Sequence, residues 1–176
     1  ARKYIETATR KVELDEREEE LERIIRLGEI KQQKTGLWVS NPGFDLEQNR
    51  AYTFDQAELI VWLLDKGWYA DAQKIMRFYH QWFKENYDDK DNIANFQGFP
   101  TCFNAETGEV EEFIIRSGPN AALALSILTY IERTHDDGIK GGYLFLAQLL
   151  TDALLSDLDE HNLVQREYAI VKDREG

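Results

Sequence analysis

The sequence predicts a mainly α-helical fold built from antiparallel helical hairpins, with a β-hairpin inserted between them. Three observations carry this. First, residues 53–64 (TFDQAELIVWLL) and 119–131 (PNAALALSILTYI) are close to continuous apolar runs. No charge falls between Leu59 and Leu64 or between Pro119 and Ile131, and a helix apolar on every side must be covered on every side. Second, each run is followed by a helix with one apolar stripe and a polar back, near 69–83 and 143–158. An inner helix alternating with an outer one points to concentric layers. Third, between the two pairs the pattern shortens to strand-like arms around a turn.

In chain order, the first helix is expected over 14–32, with Leu21, Ile24, Ile25 and Leu27 on a partial apolar face. Its charged front half, ELDEREEELER, fits a solvated outer helix. The segment 1–35 is therefore read as an N-terminal charged helix, and 36–176 as the helical-hairpin domain. Gly36, Asn41-Pro42-Gly43 and Asn49 mark a loop, with an extended piece at 37–39. Thr53 is expected as an N-cap with Gln56 three residues on, a capping box, and Gly67 as the terminator. Ala72, Ile75, Met76, Tyr79, Trp82 and Phe83 follow helical spacing in the next element, and Trp62 and Trp82 are read as core. Residues 96–117 read as a β-hairpin with arms FPTCF and VEEFII around Asn104–Gly108. Ser117 or Gly118 is expected to cap the second inner helix, with Pro119 near its first position. A glycine-rich turn, an outer helix carrying Tyr143, Leu146, Ala147, Leu150 and Leu154, and an extended segment over 162–171 complete the pattern. Gln56-Ala57 and Asn120-Ala121 match at an offset of 64 residues, a plausible period for a hairpin repeat.

The totals exclude some functions. With 43% hydrophobic residues among 176, the chain can bury a core. A net charge of −12 repels polyanions, so neither nucleic acid nor an anionic membrane surface is an expected partner. The single Cys102 cannot form an internal disulfide. No run approaches a membrane span, and the opening ARKYIE lacks the apolar core of a signal peptide; the compartment is left undetermined. No HExxH or CxxC spacing, phosphate loop or G-x-S-x-G elbow occurs, so neither metal nor cofactor is expected.

The combination Tyr52-Thr53-Phe54-Asp55-Gln56-Ala57, a helical hairpin, Phe103-Asn104-Ala105-Glu106-Thr107-Gly108-Glu109 and then Gly118-Pro119-Asn120-Ala121 resembles the six-hairpin glycosidase superfamily, the carbohydrate-processing α/α toroids. The resemblance covers about 36–158. It implies an incomplete toroid, because six hairpins at this period need about twice the chain. The rest is expected to come from a missing remainder or from self-association, since half a toroid exposes apolar flanks. It also implies a carbohydrate cleft at the N-terminal ends of the inner helices. Those ends present unpaired N–H groups and a positive dipole suited to hydroxyls and carboxylates.

Glycoside hydrolysis needs two carboxyl groups at the scissile bond. Among 33 acidic residues, position selects Asp55, in the first turn of an inner helix, and then Glu111 and Glu112. If that arm is a strand the last two alternate faces, and one should point inward. Asp55 equally serves the helix dipole, and the glutamates equally make an ordinary charged hairpin. Tyr52, Gln56, Arg116 and Asn120 are candidate substrate contacts, with Arg116 close enough in sequence to pair with a carboxylate. Trp38, Phe99 and Phe103 are candidate platforms for sugar faces, whereas Trp68 is read as packing. Two other functions fit the same residues: a helical scaffold that binds a glycan or protein without turnover, and a polysaccharide lyase using Tyr52, Asn120 and Arg116.

Overall fold

The computed structural model describes residues 32–40, 49–87, 93–138 and 141–156, the helical positions Glu19 and Glu22, and the backbone of 168–169. The chain forms two compact units, Ala1–Lys31 and Gln32–Gly176. Apart from Glu19 and Glu22, the helix expected over 14–32 lies outside the described residues, and Gln32 is not helical.

The second unit runs β1 (Arg50–Tyr52), α1 (Thr53–Asp65), α2 (Tyr69–Tyr87), β2 (Pro100–Asn104), β3 (Val110–Ile115), α3 (Ser117–Thr134), α4 (Gly142–Ser156) and β4 (Tyr168–Ala169). The strands make one sheet in that order, antiparallel throughout. The mainly helical hairpin fold with its inserted β-hairpin is as expected. The extended piece expected at 37–39 is not a strand. The first strand of the sheet is instead Arg50–Tyr52, which the sequence signalled only as the approach to a helix cap.

The sheet sets the direction of the inner helices. β1 and β3 both run against β2, so they run the same way. β1 passes directly into α1, and β3 passes into α3 through the single residue Arg116. Both N-termini therefore lie at one end. At the far end, Asp65, the last residue of α1, pairs with Arg133 near the end of α3. The two inner helices are thus parallel neighbours, and each makes a hairpin with its own outer helix.

The helix ends follow local chemistry with two departures from expectation. Gly67 terminates α1 at φ +74°. Its N–H donates to Leu64 O (3.1 Å) and that of Trp68 to Leu63 O (2.8 Å), the paired bonds of a Schellman motif. The capping box does not form. Tyr52 holds the N-cap position without a side-chain bond, and the Thr53 hydroxyl donates to Pro100 O instead (2.6 Å). Likewise Arg116 is the N-cap of α3, which makes Pro119 the third helical residue rather than the first. Its missing N–H still falls among the four that have no intrahelical partner.

The core joins Ile60 and Leu63 of α1, Ile75, Met76 and Tyr79 of α2, Leu123 and Ile127 of α3, and Leu146 and Leu150 of α4, all essentially inaccessible. The stripe of α2 is buried at Ala72, Ile75, Met76, Tyr79 and Phe83, but Trp82, expected in the same stripe, and Trp62, also expected as core, are only half-buried. The inner helices are not covered all round by this chain: Leu125 and Leu128 of α3 are 66% and 43% exposed, and Phe54 of α1 is 43% exposed.

Candidate functional site

The inner helices begin at one end of the sheet, with Tyr52 and Asp55 at the start of α1 and Arg116 at the start of α3. Residues paired across antiparallel strands place their side chains on one face. Tyr52 pairs with Cys102 and Cys102 with Glu112, while Arg50 pairs with Asn104. One face of the sheet therefore carries Arg50, Tyr52, Cys102, Asn104 and Glu112. The other carries Ala51 and Phe103, both fully buried.

The two glutamates do not alternate. The step from Cys102 to Phe103 on β2 is matched by a step from Glu112 to Val110 on β3. Glu111 is the additional residue of a β-bulge, and such residues are aimed off the regular alternation. Its carboxylate accepts a hydrogen bond from Asn104 Nδ2 (2.9 Å), which brings it to the face that Glu112 occupies. Glu112 in turn lies 3.9 Å from the Arg116 guanidinium, the pairing expected from their spacing. The expectation of one glutamate inward and one outward is corrected by the bulge. Both carboxylates flank the buried Cys102. Burial pushes that thiol up to about 11, opposed by Arg50, with Glu111 and Glu112 adding to the rise.

Arg50 and Asn104 belong to this group although the sequence reading did not select them as site residues. Arg50 Nη1 donates to the Tyr52 hydroxyl (3.3 Å), and the Asn104 amide joins the turn to Glu111. Arg50 lies on the short strand β1, which carries no period of its own, and Asn104 ends the expected arm FPTCF, where the sequence marks it only as a turn residue. Asp55 stands in the first turn of α1, partly buried, and contributes to the electrostatic environment of the buried Tyr79 hydroxyl. Among the described residues no hydrogen bond or ion pair links Asp55 to Glu111 or Glu112.

Five expected substrate contacts are corrected. Gln56 is 1% exposed; its Oε1 accepts from Trp38 N–H (3.0 Å) and its Nε2 donates to Trp38 O (2.8 Å). Asn120, 2% exposed, does the same to Phe99: Oδ1 accepts from its N–H (2.7 Å), and Nδ2 donates to its O (3.0 Å) and to Arg116 O (2.9 Å). These amides clamp backbone and are not presented to a ligand. Trp38 is buried, as are Phe99 and Phe103. Phe103 packs edge-on against Phe78, Tyr79 and Trp82, and Phe99 against Tyr79. They are core aromatics, not platforms for a sugar.

The corrected residues expose an internal repeat. Gln56, Ile60 and Leu63 on α1 and Asn120, Ala124 and Ile127 on α3 are buried at equivalent positions, 64 residues apart. In each helix the first of the three is an amide that grips the connection preceding the helix. Among the described residues no cluster of three metal-ligating side chains occurs, and no helix is long and apolar enough to cross a membrane.

No family model matches the chain, and no curated protein matches it. Among solved structures it is similar to a glycosidase variant in complex with glucose, with a TM-score of 0.55 and 15% identity. The match covers 76% of this chain and 40% of that one. The fold described here is thus a glycosidase-like helical fold, and the chain spans about 40% of the length of the structure it resembles.

Proposed function

We propose that this chain is part of a carbohydrate-active α/α toroid that hydrolyses a glycosidic bond by carboxylate acid/base chemistry. The observation that carries the reading is the convergence of Glu111 and Glu112 on one sheet face at the N-terminal end of two parallel buried helices. The likeness of the fold to a glycosidase supports it. In such a reaction one carboxyl group protonates the leaving oxygen, and the other activates water or attacks the anomeric carbon. Asp55 is the first candidate for one role and Glu111 or Glu112 for the other. Arg116, Arg50 and Tyr52 supply hydrogen-bond donors at the same rim. The lyase reading loses one of its residues, because the Asn120 amide is consumed by backbone.

The test uses the longest natural protein that contains this chain, assayed for reducing-sugar release from a panel of oligosaccharides. Asp55→Asn and Glu112→Gln should each lower kcat by at least about a hundredfold, the scale of a general acid or base, while the unfolding midpoint stays unchanged. Full activity in both variants would remove these residues from catalysis. Binding of the oligosaccharides without turnover would favour the scaffold reading, and an ultraviolet-absorbing unsaturated product would favour a lyase.

A further inference from the structure

Away from the sheet face, a cavity of about 650 Å³ opens along the outer side of α2. It is bounded by α2, the turn between α3 and α4, and the tip of the β-hairpin. None of Arg50, Tyr52, Glu111, Glu112 or Arg116 lines it. Its size suits a ligand of one or two sugar rings, within the range of small-molecule sites.

The walls are built rather than incidental. Phe78, Trp82 and Tyr143 give it aromatic surface, and Trp82 is backed by Phe99 and Phe103 at 5.4 and 5.5 Å between ring centres. Three glycines let those walls close in. A Cβ at Gly138 would fall 2.9 Å from the Tyr143 ring, one at Gly142 would fall 2.6 Å from His80 Nε2, and one at Gly108 would fall 3.1 Å from Phe78. Besides the Thr35 and Thr107 hydroxyls, the polar lining includes planar groups held by neighbours. Gln81 Nε2 donates to Glu85 (2.7 Å), and Gln73 Nε2 donates to Asp136 (2.9 Å), which also accepts from the Tyr130 hydroxyl (3.0 Å) and Gly138 N–H (2.9 Å). The Gln81 and Gln73 bonds each use one of the four hydrogen-bonding positions of a carboxamide.

The charge balance disfavours an anionic ligand. Arg77 contributes one positive charge, and Asp136 and Glu85 one negative charge each. Burial lowers the His80 pKa below its ordinary value, and Lys84 adds to the effect, so the uncharged ring is favoured. An anion gains nothing from a site with one excess negative charge. A neutral polyhydroxylated molecule meets what it needs: aromatic surface for its C–H faces and fixed planar groups for its hydroxyls.

We propose that this cavity binds a neutral mono- or disaccharide as a second carbohydrate site, separate from the Glu111–Glu112 face. The choice of sugar leans on the carbohydrate reading above, but the site needs no turnover. The test is titration of the ¹⁵N-labelled protein with glucose, maltose and cellobiose at millimolar concentrations, followed by NMR. The expected result is saturable shifts at the Trp82 indole and the Gln81 and Gln73 side-chain amides. They should weaken at least about tenfold in Gln81→Ala and Glu85→Ala, a loss of about 1.4 kcal/mol. Both positions are exposed, and an unchanged urea midpoint would confirm that the variants fold. Saturable shifts confined to Tyr52, Glu111 and Glu112 would overturn the second site and leave the first standing. No saturable shift, equal shifts with glycerol, or preferential binding of an alkylammonium probe would also overturn it.

Discussion

At the scale of single residues, the two buried amides show how a polar side chain can look functional and be architectural. Removing the Asn120 carboxamide leaves the buried N–H and C=O of Phe99 without partners, and each such orphan costs about 1–3 kcal/mol. Asn120→Ala should therefore destabilise the protein by roughly 2–6 kcal/mol in urea unfolding, by the same reasoning. Gly98 adjoins this clamp at φ +128°, and a Cβ there would fall 2.8 Å from Asn120 Oδ1. Gly98→Ala should lower stability by about 1–3 kcal/mol through backbone strain and displacement of the amide, read from the same curves.

Asp136 supplies a pH signature. Its carboxyl is held below its ordinary 3.8 first by the hydrogen bond from Gln73, then by Gly138 N–H and the Tyr130 hydroxyl. A carboxyl with a depressed folded-state pKa contributes stability that is fully present above the unfolded value and lost as pH falls through the folded one. Asp136→Asn should thus be less stable than the parent at pH 7, and the gap should close below pH 3.8. A gap that is constant from pH 7 to pH 2 would show that the carboxylate charge is not what matters.

At the scale of elements, the β-bulge and the aromatic layer decide the site. The alternation rule places Glu111 and Glu112 on opposite faces, and one inserted residue reverses that. Nothing in VEEFII marks the bulge, because it follows from the pairing of β3 with β2. Phe103, on the opposite face, ties the sheet to α2 through three aromatic neighbours. Phe103→Ala should cost about 3–5 kcal/mol, the range for deleting a buried aromatic ring. Calorimetry or urea unfolding would measure this, and a cost under 1 kcal/mol would mean that the sheet is not anchored there. The helices were legible because their apolar periods are long. The short strand Arg50–Tyr52 was not, since three residues carry no period and its pairing partner lies some 50 residues downstream.

At the scale of the whole molecule, α3 leaves two apolar side chains on an exposed flank. Leu125 and Leu128 lie on an inner helix whose counterpart α1 is covered by α3 itself. In the proposed toroid, a further hairpin of the longer protein covers this flank. The isolated chain should then self-associate with rising concentration in analytical ultracentrifugation. Leu125→Gln with Leu128→Gln should restore the monomer and change stability by no more than about 0.5 kcal/mol per exposed site. A parent chain that is monomeric at all concentrations would argue that these leucines need no cover.

Consecutive residues were enough to announce the four helices α1–α4, the hairpin turn and the 64-residue correspondence of Gln56 with Asn120, but not the apolar outer side of α4, where Leu144, Phe145 and Leu155 are exposed. These rest on local periodicity and turn chemistry, which are written in consecutive residues. Packing established that the inner helices are parallel, that Gln56 and Asn120 hold backbone, that Trp38, Phe99 and Phe103 are core, and that Glu111 and Glu112 share a face. Each of those depends on a partner distant in the chain. Whether an aromatic ring or an amide meets solvent or protein is settled by what packs against it.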